Sequence, residues 1–86
     1  IEQDGDFYEL FPNPAQSVLN LRFVADGNRT VSLQGLSRNT IRQMELTGNG
    51  SLAAMPIDIA ELQAGVYFLK IQSPNGETKV LKFVKI

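Results

Sequence analysis

The stretch LQAGVYFLKIQSPNGETKVLKFVKI, Leu62 to Ile86, carries the reading of the fold. Gly65 to Ser73 and Thr78 to Ile86 each place apolar residues at alternate positions, the period of a strand whose two faces differ. Between them stands Pro74-Asn75-Gly76. Proline starts a type I turn, asparagine continues it, and Gly76 takes the left-handed position, which predicts a hairpin with a three-residue loop. That loop sets Tyr67 opposite Phe83, Leu69 opposite Leu81, and Ile71 opposite Lys79 at the rim. A two-residue Asn75-Gly76 turn would put Lys82 opposite Leu69 and bury an unpaired ammonium. The opposite face then carries Val66, Phe68, Val80, Lys82 and Val84, an apolar strip with charged neighbours.

The start of the same stretch places the hairpin in a larger frame. Leu62, Gly65 three residues on, and Tyr67 two later fit a tyrosine corner, in which the phenol bonds back to upstream backbone at a sandwich crossover. A ligand-stacking or acid–base role for Tyr67 is the competing reading, but nothing titratable flanks it. Asp58 to Ala64 is the one helical candidate, too short to stand alone, and reads as a corner between sheets.

Working outward, the rest of the chain is short strands and turns. Phe7 to Phe11 is an apolar run ended by Pro12 and Pro14, which remove two backbone donors and force extended backbone at Phe11 and Asn13. Ser17 to Ala25 alternates, with Leu19, Leu21 and Phe23 on one face and Asn20 and Arg22 on the other. Asp26-Gly27-Asn28 reads as a turn, and Arg29 to Leu36 alternates again through Val31 and Leu33. In Thr40 to Leu46, Ile41 and Met44 fall out of phase, which predicts a bulge or a change of face. Gly48-Asn49-Gly50 reads as a loop. Leu52 to Ile59 is extended, with Pro56 favouring an edge. About seven strands at this spacing predict an all-β, immunoglobulin-like antiparallel sandwich.

Composition narrows function. The chain has 86 residues, 43% of them apolar, and a net charge of -1, which supports one modest domain and argues against a nucleic-acid partner. It has no histidine and no cysteine, which removes the usual nucleophile–base systems, nearly all zinc chemistry and any disulfide frame. No enzyme activity and no cofactor are expected. Asp4-Gly5-Asp6 lacks the further oxygen ligands a calcium loop needs and reads as an acidic linker end. Asp58 and Glu61, a nominal carboxylate pair, read as turn caps. Asn28-Arg29-Thr30 and Asn49-Gly50-Ser51 match the N-glycosylation pattern but fall where turns want asparagine anyway. Lys79, Lys82 and Lys85 recur every third residue, so they alternate faces; edge protection and a docking signal both remain open for them.

Three stretches resemble one family. Leu10-Phe11-Pro12-Asn13-Pro14-Ala15 is similar to its first motif, an aromatic followed by Pro-Asn-Pro. Gly65-Val66-Tyr67-Phe68-Leu69-Lys70-Ile71 resembles its second, and Lys79 to Ile86 its third, a lysine-bearing terminal strand. The family is the C-terminal sorting domain of proteins exported by the type IX (Por) secretion system of Bacteroidetes. The resemblance spans Phe7 to Ile86 and implies that residues 1–6 end a linker and 7–86 form the sorting domain. It further implies an N-terminal cargo domain in the same chain, passage through the periplasm, and recognition by the outer-membrane translocon. Cleavage by a sortase-like surface peptidase and a final place at the cell surface or outside the cell complete the expectation. Pro12, Asn13, Pro14, Gly65, Tyr67 and the lysines of the last strand are the marks carried over, with Phe68 and Leu69 added to the recognition motif. An accessory carbohydrate-binding or adhesion module is the alternative; it would normally offer a platform of exposed rings, and this chain has no tryptophan.

Overall fold

Seven strands form two antiparallel sheets in the computed structural model, which describes residues 6–86. They are β1 (Phe7–Phe11), β2 (Val18–Val24), β3 (Asp26–Gln34), β4 (Thr40–Asn49), β5 (Ala53–Asp58), β6 (Gly65–Gln72) and β7 (Thr78–Lys85). One sheet has the order β1-β2-β5 and the other β4-β3-β6-β7. This is the expected sandwich, with the fourth strand paired to the third instead of joining the smaller sheet. Alternation supplies the core. Leu19, Leu21 and Phe23 from β2 meet Val31 and Leu33 from β3, with Ile57, Leu69, Ile71 and Phe83 completing it, all buried. Pro56 sits on β5, an edge strand, as its missing donor requires.

The last hairpin has the register its loop dictates. Tyr67 pairs with Phe83, Leu69 with Leu81 and Ile71 with Lys79. Ser73 accepts from the Gly76 amide at 2.9 Å, and Gly76 has φ +95°, so the loop is Pro74-Asn75-Gly76. Upstream, the Tyr67 hydroxyl donates to the Gln63 carbonyl at 2.6 Å, the tyrosine-corner bond, and its ring stacks on Phe83 at 5.6 Å. The segment after β5 turns tightly through a Leu62 amide to Ile59 carbonyl bond and crosses from one sheet to the other. Asp58 caps that turn by accepting from the Ala60 amide. The bulge in β4 is also present: Leu33 pairs with Arg42 but Gln34 with Thr40, which leaves Ile41 over.

Two turn expectations are corrected. Asp26-Gly27-Asn28 lies inside β3, paired with Asn49, Gly48 and Thr47 of β4, and Gly48-Asn49 belongs to β4, so only Gly50 of that triplet lies outside a strand. The reason is that β2 and β3 belong to different sheets and only Ala25 separates them. The chain bends through buried Ala25 and Gly27 (φ +91°) and goes straight into a new ladder. Gly48 permits this approach: a side-chain carbon there would lie 2.1 Å from the Ala25 carbonyl oxygen. Glycine is wanted here for close backbone contact, not for a loop.

The first and last strands meet through the β1–β2 connection. Ala15, fully buried, makes a parallel bridge to Lys85: its amide donates to the Val84 carbonyl at 2.8 Å and its carbonyl accepts from the Ile86 amide at 2.9 Å. Asn13 adds a side-chain pair, accepting from the Val84 amide at 3.1 Å and donating to the Lys82 carbonyl at 3.4 Å. Leaving β1 of the smaller sheet, the proline-flanked segment thus caps the outer edge of β7 in the larger one. The connection then returns to its own side, where Ser17 accepts from the Ile59 amide.

Tyr67→Phe keeps the stacked ring and loses one hydrogen bond, so urea unfolding should show a loss of about 1 kcal/mol. Tyr67→Ala also removes the ring from Phe83 and should cost about 3–5 kcal/mol, enough to unfold a domain of this size. Asn13→Ala should cost about 1 kcal/mol and, in amide hydrogen exchange, speed Val84 while leaving Leu69 and Leu81 protected. Unchanged Val84 protection would mean that Ala15 alone holds the edge.

Candidate recognition surface

The residues singled out in sequence gather on the β6–β7 hairpin and its capped edge. Gly65 lies opposite Lys85, Tyr67 opposite Phe83, Phe68 opposite Lys82, and Leu69 opposite Leu81. Pro12, Asn13 and Pro14 are exposed and lie along β7 through the Asn13 bonds; the peptides before both prolines are cis. The strands separate these residues into two sets by parity. Tyr67, Leu69 and Phe83 face the core, while Phe68 and Lys82 face outward.

The lysines divide as their spacing requires. Lys79 and Lys85 share the inward parity and Lys82 the outward one. Lys79, opposite Ile71 near the rim, lines a cleft with Asp6, Tyr8, Ser73 and Glu77. Lys85 is buried to 8% exposure, and its ammonium donates to the Ile86 carbonyl at 3.0 Å. Its charge is thereby hydrogen-bonded, as a buried ammonium requires.

The outward face carries the apolar strip read from sequence. Val66, Phe68 and Val84 are half-buried and Val80 is exposed. Sequence reasoning missed two cations of this face. The Arg38 guanidinium, from the β3–β4 loop, lies over the Phe68 ring at 4.6 Å, and Arg38 has a positive φ of 68°. A contact between a loop and a strand 30 positions away leaves no periodic signal. Lys70 pairs with Val80 across the hairpin and with Ser32 on the other side. The alternation that exposes Phe68 and Lys82 would have placed it on the same face.

A second cluster fixes where the chain enters the domain. Asp6 accepts from Arg29 at 3.2 Å and from the Tyr8 hydroxyl at 3.2 Å. Burial and the neighbouring Asp6 charge push the Tyr8 phenol above its ordinary value, against the opposing pull of Arg29. Burial alone would lower Arg29, but hydrogen bonding and attraction to Asp6 outweigh it, so the guanidinium is held above its usual range. Asp6, read as part of a linker end, is therefore tied to β3, while Asp4 and Gly5 lie outside the described residues. Among the described residues, no group of three or more acidic side chains is arranged to hold a metal ion.

The family model described as "Secretion system C-terminal sorting domain" matches residues 9–86. No curated protein matches the chain. The match begins within β1 and runs through Ile86, so it contains the proline-flanked cap, the tyrosine corner and the lysine-bearing strand together. The chain belongs to the secretion-system C-terminal sorting domain family, and its function is that of a sorting signal for type IX secretion, directing export to the cell surface or the extracellular space.

Proposed function

We propose that the outward face of β6 and β7 docks to the outer-membrane translocon, delivering a cargo domain carried N-terminal to Phe7 after transit through the periplasm. The observation that carries this reading is the apolar strip. Val66, Phe68, Val80 and Val84 sit on the solvent side of a sheet whose other side already holds the core. A sheet face needing only solvation would not be so apolar, and exposed apolar patches of this kind mark partner sites. The domain itself is non-catalytic in this reading. The family match favours sorting over the alternative of a carbohydrate-binding or adhesion module.

A sortase-like surface peptidase would then cut upstream of the folded domain. Phe7 is the first residue of β1, paired with Val24, and Asp6 is held by Arg29. Backbone held in a folded domain resists a protease, so the cut belongs N-terminal to Asp6, with residues 1–6 as linker end and 7–86 as the sorting domain. Mass spectrometry of the released domain should find an N-terminus at or before Asp6. A fragment beginning inside Phe7–Phe11 would overturn the placement.

Phe68→Glu tests the docking face. Because Phe68 has outward parity, the variant should keep a cooperative unfolding transition, with stability lowered by about 1–3 kcal/mol at most. A periplasmic reporter carrying the variant domain at its C-terminus should stay inside the cell, while the wild-type fusion reaches the surface. Normal export of the Phe68→Glu fusion would place the docking surface elsewhere.

A further inference from the structure

The chain as a whole is slightly acidic, with a net charge of -1, yet the outward face of β6 and β7 is cationic. Lys70, Lys82 and Arg38 surround Phe68: Lys82 is its cross-strand partner, Lys70 lies two residues along β6, and Arg38 covers the ring. Among the described residues, none of the three forms an ion pair. Arg22 is paired with Glu9 and Arg29 with Asp6, while Arg42 and Lys85 donate to main-chain carbonyls. The carboxylate of outward parity in this sheet, Glu45, stands on β4 opposite Thr30. With β3 between β4 and β6, it is about 10 Å from the strand of Lys70. A surface designed only for solubility would intersperse both signs. Here, among the described residues, three cations around an apolar centre have no ion-pair partner.

Resting on the docking reading above, we propose that the partner presents an acidic protein surface. Its carboxylates would meet Arg38, Lys70 and Lys82 around an apolar contact at Phe68 and Val80. The relief of the face favours a protein over an anionic lipid surface. An interfacial membrane site pushes apolar side chains out beyond its cations. Here the order is reversed: Phe68 is half-buried beneath the Arg38 guanidinium, and of the strip only Val80 is exposed. Cations that stand above the apolar floor suit side-chain carboxylates that reach in, with the guanidinium giving a planar, bidentate donor pair. Complementary charge of this sort sets encounter rate and partner choice more than final tightness.

The test uses reporter fusions carrying the whole 86-residue chain. Lys70→Glu/Lys82→Glu should cut export by about tenfold or more, and Lys70→Gln/Lys82→Gln by a smaller factor of about three. Lys70→Arg/Lys82→Arg should be exported as the wild type is, since charge is kept. All three variants should keep the wild-type thermal midpoint within a few degrees, because neither lysine has an ion-pair partner among the described residues. Phe68→Ala, which alters no charge, separates docking by this face from the acidity of its partner. If it blocks export while the Glu pair is exported normally, the face docks but its partner is not acidic, and the proposal fails alone. If neither change matters, the docking reading fails with it. Sedimentation of the purified wild-type chain with phosphatidylglycerol vesicles, lost in the Lys70→Glu/Lys82→Glu variant, would assign the cations to lipid and overturn the proposal.

Discussion

The structure depends on the main-chain clasp between Ala15 and the end of β7. A terminal edge strand holds only one ladder, and the unpaired donors and acceptors along its other side invite fraying or pairing with another chain. Ala15 supplies a second partner at Val84 and Ile86, and Asn13 extends it to Lys82. The clasp also joins the two sheets, because the segment that makes it begins and ends in the sheet of β1 and β2. Contacts between residues 69 to 71 positions apart then make the first and last stretches one cooperative unit. The prolines contribute by narrowing the unfolded chain, so less entropy is lost when Asn13 is held against β7.

Register transmits that constraint inward. With the loop fixed as Pro74-Asn75-Gly76, β7 can slide no further along β6 without moving every side chain to the wrong face. Tyr67 then stacks on Phe83 and donates to Gln63, which ties the β5–β6 crossover to the same hairpin. Arg42 fastens the other side of that crossover by donating to the Asp58 carbonyl at 2.8 Å. Sheet joining, hairpin register and crossover therefore depend on β6 and β7 together. A chain lacking β7 would lose Phe83 from the core and leave β6 with an open side.

What could be read in the sequence was what period and turn chemistry encode. Alternation through Leu19, Leu21, Phe23, Val31 and Leu33 located the core, and Ser73-Pro74-Asn75-Gly76 set the register, because both signals are local. The misreadings have a common cause. Asp26-Gly27-Asn28 and Gly48-Asn49-Gly50 have turn composition, yet the first and most of the second are strand, because two distant segments meet at the Ala25 corner. A glycine needed for close approach to another backbone looks the same in sequence as a glycine needed for a turn. Likewise the stiffness of Pro12-Asn13-Pro14 was legible, but its use as an edge cap was not. Hydrogen bonding from Asn13 to a strand at the far end of the chain leaves no spacing to read. Arg38 over Phe68 belongs to the same class.

The hairpin assigns stability and recognition to opposite parities of one strand pair. Residues 67, 69, 81 and 83 pack inward and residues 66, 68, 80, 82 and 84 face outward, with the capped edge holding both sets in place. Because successive side chains alternate, the outward set can change without altering core volume, provided the backbone pairing persists. The inward set has no such freedom: Leu69 and Phe83 are fully buried, and a volume change there reaches Tyr67 and the crossover. The cap makes this division possible. An edge strand with both sides open would have to spend its outward residues on protecting itself from other strands. With Asn13 and Ala15 along Lys82 to Ile86, the outward face of β7 is left free to carry an apolar strip beside its cations.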